Sequence, residues 1–170
     1  TGAKLERYIR IRDLKGSEGD YADSLKFLSE CLFTCIGQKA IILIDEYDVP
    51  LENAYFSGFY DRMAALIRSL FESALKTNDN LEFAVVTGCL RISKESIFTG
   101  LNNLKVISIT SQTYAEHFGF TQKEVEQMLR DYELGDNLET VRKWYDGYCF
   151  GETEVYNPWS VINYVDSCYK

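Results

Sequence analysis

Apolar positions along the chain first repeat with helical spacing. Leu25, Leu28, Cys31, Leu32, Cys35 and Ile36 fall on one face of a helix that Asp23 or Ser24 can cap and Gly37 can end. Such a helix has to cover something. Ala40 to Ile44 is then a continuous apolar run that stops abruptly at Asp45-Glu46-Tyr47-Asp48, the pattern of a parallel-sheet strand buried on both faces. A polar loop is expected around Val49 to Phe59. Met63, Leu66, Ile67, Leu70, Phe71, Ala74 and Leu75 give the clearest helix, which Asn78-Asp79-Asn80 breaks. Leu81 to Val86 resumes a strand that halts at Thr87-Gly88. A bend at Gly100, Asn102 and Asn103 leads to a third expected strand, Leu104 to Ile109. The alternation of helix and strand is that of an α/β domain with a parallel sheet.

Beyond Ser111 the rhythm becomes helical. Thr121 and Glu124 have capping-box spacing, with Phe120 and Val125 placed as a hydrophobic staple, and the helix they open should run to about Glu133, with Gly135 as terminator. Leu138, Val141 and Trp144 mark a second helix. Residues 147 to 154 suggest a turn or small hairpin, and Asn157-Pro158 starts a last helix with Asn as cap and Pro at the first helical position. We therefore expect an α/β core over residues 1–110 and a small helical subdomain over 111–170.

Composition narrows the function classes. With 170 residues, 46% of them hydrophobic and 14% aromatic, the chain can bury a sizeable core. The 18 Lys and Arg against 26 Asp and Glu leave a net charge of -8, which repels phosphates over most of the surface, so direct nucleic-acid binding is not expected. No apolar run approaches a membrane span, and the first residues lack a signal-peptide block, so a cytoplasmic protein is expected. The five scattered cysteines read as reduced thiols; Cys31 and Cys35 lie four apart, but the single histidine, His117, is remote, and no Cys-x-x-Cys completes a zinc site.

The chemistry concentrates where the first strand ends. A carboxylate at the last position of a buried strand can hold hydrated Mg²⁺ beside phosphates, and the next residue, turned the other way, can orient or deprotonate water. Asp45 suits the first role and Glu46 the second. Thr87, at the tip of the next strand, and Arg91 beyond it suit the sensing of a terminal phosphate. The rival reading is that these are ordinary solvated acids at a strand end. Asp48, with Pro50 close behind, reads as a turn or helix-capping acid rather than a third ligand.

Several stretches together carry a resemblance: IILIDEYDVPLENAY, FAVVTGCLRISKESIFTGLNNLKV, FGFTQKEVEQML and WYDGYCFGETEVYNPWSVINYV. In that order they resemble the bacterial AAA-ATPase-like family, a branch of the P-loop NTPases often followed by a nuclease domain of the PD-(D/E)XK superfamily. The resemblance spans roughly residues 20 to 165. It implies a P-loop NTPase-like parallel sheet with flanking helices and a helical lid. It also implies Mg²⁺ and ATP as ligands of the intact module, Asp45 and Glu46 as Walker B, Thr87 and Arg91 as sensors, and a nuclease domain as a C-terminal companion.

One family feature is missing. The sequence contains no Gly-Lys dipeptide and hence no phosphate loop, whose amides and lysine supply most phosphate binding. The expectation is thus a module truncated at its N-terminus, or a degenerate copy, with negligible activity and no tightly held cofactor. The alternative is a noncatalytic protein-interaction module built on an NTPase fold.

The absent phosphate-loop strand would leave a gap in the sheet, so we expect the strands to close up, Tyr8 to Asp13 or another chain to fill the place, or the protein to self-associate through exposed sheet edges. The alternating Tyr8-Ile9-Arg10-Ile11-Arg12 reads as a strand or solvated edge, or, with Lys4, Arg7 and Lys15, as a basic anion-binding arm. Trp144, Tyr145, Tyr148, Phe150, Tyr156 and Trp159 read as the core of the helical subdomain, with base stacking as the rival.

Overall fold

The computed structural model describes residues 2–89 and 97–169. Two compact units divide the chain, Thr1–Leu104 and Lys105–Lys170.

In the first unit, helices α1 (Gly2–Arg12), α2 (Glu18–Ala22) and α3 (Ser24–Ile36) precede strand β1 (Ala40–Ile44). Helix α3 ends where expected, because Gly37 adopts φ +75° and donates its N–H to the Phe33 carbonyl at 2.8 Å, a left-handed cap that costs glycine little. Helices α4 (Val49–Phe56) and α5 (Tyr60–Phe71) follow, α5 running on as a π-helical turn over Glu72–Lys76 before strand β2 (Leu81–Val86). The π-turn keeps Ala74 and Leu75 facing the core that Ala64, Ile67 and Phe71 build from α5.

Strands β1 and β2 pair in parallel. Ala40 lies opposite Leu81 and Ile41 opposite Phe83, so Glu82 is an extra residue in β2, and the register then holds to Ile44 and Val86. Ile42, buried, joins Leu51, Ile67, Phe71, Ile97 and Leu101, and Ile44, Ala84 and Val86 pack against the same cluster. Each such aliphatic side chain stabilises the unit by about 1.5–3 kcal/mol when fully buried.

Four expectations are corrected here. The segment from Val49 is helical rather than a polar loop: Pro50 presets its first turn, the Asp48 carbonyl accepts from Leu51 and Glu52, and Leu51 and Ala54 are buried. Residues Tyr8 to Arg12 belong to α1, where local hydrogen bonds need no partner strand. None of the α1 residues is buried, and Arg7 ties the helix down through Asp20 at 3.1 Å and Asp23 at 3.0 Å, its guanidinium 4.8 Å above Phe27. No strand forms over Leu104 to Ile109. Ser108 and Ser111 instead close a local turn, and the Ile109 carbonyl accepts the Gly151 N–H at 2.7 Å. The sheet is buried on one face only, since Ile41 and Leu43 are 63% and 73% exposed.

In the second unit, Thr121 and Glu124 form the capping box of α6 (Gln122–Asp131), the carboxylate accepting the Thr121 N–H at 2.8 Å. A 3₁₀ turn over Gly135–Asn137 leads into α7 (Leu138–Tyr145). The hairpin of β3 (Asp146–Phe150) and β4 (Thr153–Tyr156) and the helix α8 (Pro158–Tyr169) complete the unit. Asn157 caps α8, its Oδ1 accepting the Ser160 N–H at 3.0 Å. The core is Val125, Leu129, Val141, Tyr156, Val161 and Val165. Of the six aromatics expected there only Tyr156 is fully buried; Trp144 and Trp159 are 70% and 77% exposed, because the aliphatic side chains already fill the space. The chain is thus a mixed α/β protein with a small parallel sheet flanked by helices and a more helical C-terminal region.

Candidate functional site

Asp45 and Thr87 are the residues immediately after β1 and β2, and the parallel ladder continues past the strands to hold them together. The Thr87 N–H donates to the Ile44 carbonyl at 2.8 Å, and the Tyr47 N–H donates to the Thr87 carbonyl at 3.0 Å. Across this frame the Thr87 hydroxyl donates to Asp45 Oδ1, which also accepts the Glu46 N–H at 3.0 Å. Both donors converge on one carboxylate oxygen. Oδ2 has no hydrogen-bond partner among the described residues.

Glu46 has φ +51°, a left-handed conformation that a side-chain-bearing residue adopts at a cost. The chain therefore swings off the strand axis at Glu46, and Asp45, Glu46 and Thr87 are all exposed. Arg91 lies outside the described residues.

Behind the acids the wall is aromatic. Tyr47 meets Phe98 edge-on at 5.2 Å and Phe71 at 6.4 Å, and Phe71 stacks on Phe98 at 5.9 Å. Asp48, only 4% exposed, sits at the start of α4, as a capping position requires, although its side chain makes no cap hydrogen bond. Gly88 completes the arrangement. A Cβ there would come within 2.5 Å of Tyr47 Cε1 and 2.7 Å of Asp48 Oδ1, so only glycine lets the turn after Thr87 lie against the Tyr47-Asp48 segment. Sequence reading placed Gly88 at the strand end without assigning it this contact, which depends on where Tyr47 folds back.

An Asp carboxylate beside a Thr hydroxyl is a hard-oxygen pair suited to Mg²⁺. Among the described residues no three His, Cys, Asp or Glu side chains gather as a metal site. The donor set therefore fits a cation that keeps most of its water and takes its other ligands from phosphates, which is the habit of Mg²⁺, and does not fit an all-protein cage. An open hollow of about 520 Å³ in the second unit, lined by Ile109, Thr110, Gln112, Cys149, Gly151 and Glu152, includes none of these residues. No helix among the described residues is long and apolar enough to cross a membrane.

Comparison with known proteins places the chain at the level of family. Residues 2–98 match the AAA-ATPase-like family model, described as "Predicted AAA-ATPase". A protein of Azotobacter chroococcum mcd 1, named "Uncharacterized protein in vnfD 5'region", is 32% identical over 127 residues, which is 74% of this chain and 24% of that protein. The chain thus spans about a quarter of the length of this curated relative. No solved structure matches. With more than half of its residues under the family model, the chain belongs to the AAA-ATPase-like family.

Proposed function

We propose that this chain carries the Walker B half and the lid of a nucleotide-hydrolysing module. Asp45 would hold Mg²⁺ through Oδ2, with Oδ1 fixed by Thr87 and the Glu46 N–H. Bound there, the cation would offset the negative charge of the terminal phosphates. Glu46, set off the strand axis by its φ of +51°, takes the proton of the attacking water, and Thr87 and Arg91 respond to the terminal phosphate. The helical unit after Lys105 acts as the lid. Without a Gly-Lys phosphate loop in these 170 residues, ATP binds weakly and turnover is negligible. A C-terminal nuclease companion rests on the resemblance alone; neither comparison names one.

The observation that carries this reading is the Thr87–Asp45 hydrogen bond at the paired ends of two parallel strands, where α/β folds place their ligands. Thermal melting with millimolar Mg-ATP tests it. A rise in Tm that Asp45→Asn abolishes and Glu46→Gln retains or enlarges supports the proposal.

A second reading, a noncatalytic interaction module, draws on the uncovered apolar face of the sheet. No Tm rise at saturating Mg-ATP favours that reading.

A further inference from the structure

Strand alternation sorts β1 and its flanks onto two faces. Ile42 and Ile44 turn inward to the core, and Lys39, Ile41, Leu43 and Asp45 share the other side. On β2, Phe83 and Val85 stand beside Ile41 and Leu43 in register, and the Thr87 hydroxyl bonded to Asp45 confirms that both strand ends keep this alternation. Ile41, Leu43 and Phe83 are each more than half exposed, with Val85 exposed beside them. Parallel sheets are normally covered on both faces, and among the described residues this face is bare.

The order of residues on the bare face says what fits it. Read along β1 it is a cation, two aliphatic residues, then an anion: Lys39, Ile41, Leu43, Asp45. Reversed and laid on itself, this stripe is its own complement. We infer that the face is a docking surface for a second copy of this chain, two sheets packing face to face with their β1 strands antiparallel about a two-fold axis. Ile41 then meets the partner's Leu43, and Lys39 meets the partner's Asp45, twice by symmetry. The opposite, parallel packing would place the Asp45-Glu46 pairs of both copies at one end, where like charges repel.

This inference rests on the sheet face and not on the nucleotide reading. A face of two short strands is small beside the roughly 800 Å² per partner of a standard interface, so the dimer is weak, with a dissociation constant of roughly tens to hundreds of micromolar. Since the Lys39 and Asp45 pairs lie at the exposed ends of the stripe, monovalent salt loosens the dimer.

Sedimentation velocity of the full chain with reductant, up to about 500 µM at low salt, tests the inference. The expected result is a concentration-dependent dimer that Leu43→Glu abolishes, circular dichroism confirming that the variant stays folded. Lys39→Glu and Asp45→Lys should each weaken association about fivefold, and the double reversal Lys39→Glu/Asp45→Lys should restore it to within about twofold. A monomer at the highest concentration overturns the inference and leaves the face to another segment or partner. So does a dimer that survives Leu43→Glu, or one whose charge reversals show no mutual rescue.

Discussion

Thr87 donates its hydroxyl to Asp45 Oδ1 across the paired ends of β1 and β2, so the carboxylate that ends the first strand is oriented by the residue that ends the second. Both side chains are exposed, so the bond contributes to orientation more than to stability. Thr87→Val should cost no more than about 1 kcal/mol of folding free energy. It should still weaken any divalent-cation effect at Asp45, while Thr87→Ser retains it. Urea unfolding and Mn²⁺ titration of the three proteins separate the two effects.

Gly88 has the sharper structural role. An added methyl would press on Tyr47 and Asp48, and relief requires moving the turn or the aromatic wall of Tyr47, Phe71 and Phe98. We expect Gly88→Ala to destabilise the protein by about 1–3 kcal/mol, as overpacking of a close contact does. Chemical denaturation gives the value, and an unchanged midpoint would contradict the contact.

Helix α1 depends on Arg7. Burial pushes the Asp23 carboxyl up, but hydrogen bonds from Ser73 and Arg7 outweigh it and hold the group below its ordinary value. Asp20 is also depressed, first by the Ser17 N–H and hydroxyl and then, against burial, by Arg7. A depressed carboxylate stabilises the fold above its unfolded pKa, about 3.9 for Asp, and that contribution is lost as pH falls through the folded value. Stability should therefore drop below about pH 4, and Arg7→Ala should flatten that drop while costing about 1–2 kcal/mol at neutral pH. Thermal melts from pH 7 down to pH 2 for both proteins provide the check.

The second unit offers an independent test of local helix chemistry. The Thr121 N–H and hydroxyl hold the Glu124 carboxyl below its ordinary range, so the capping box is intact at neutral pH and weakens as acid protonates Glu124. Thr121→Ala should lower stability by about 1 kcal/mol at pH 7, with a smaller difference at low pH. Denaturant midpoints at the two pH values would show it.

Much of this was legible in the sequence where local chemistry decides. Gly37 ends α3, Asn157 and Pro158 open α8, and Thr121 with Glu124 opens α6, because caps act through neighbours in the chain. Ile42 and Phe71 were legible as core because their spacing points one way. Elements that depend on a distant partner were not. Leu104 to Ile109 has strand composition but no strand beside it, and Tyr8 to Arg12 alternates yet coils into a helix that satisfies its own backbone. The continuous run Ala40 to Ile44 implied two covered faces, but hydrophobicity alone cannot say whether the cover is present. The positions of Asp45, Glu46 and Thr87 just past the strand ends followed from where the apolar runs stop, whereas the tight approach of Gly88 to Tyr47 needed the fold.

On the proposed reading, Asp45 at the end of β1 presents an oxygen to a hydrated divalent cation with Thr87 beside it. Paramagnetic broadening of the amide NMR spectrum by Mn²⁺, a stand-in for Mg²⁺, tests it most directly. Selective loss of the Asp45, Glu46 and Thr87 signals, reversed by excess Mg²⁺ and absent in Asp45→Asn, is expected. Broadening centred elsewhere, or unchanged by Asp45→Asn, would contradict it.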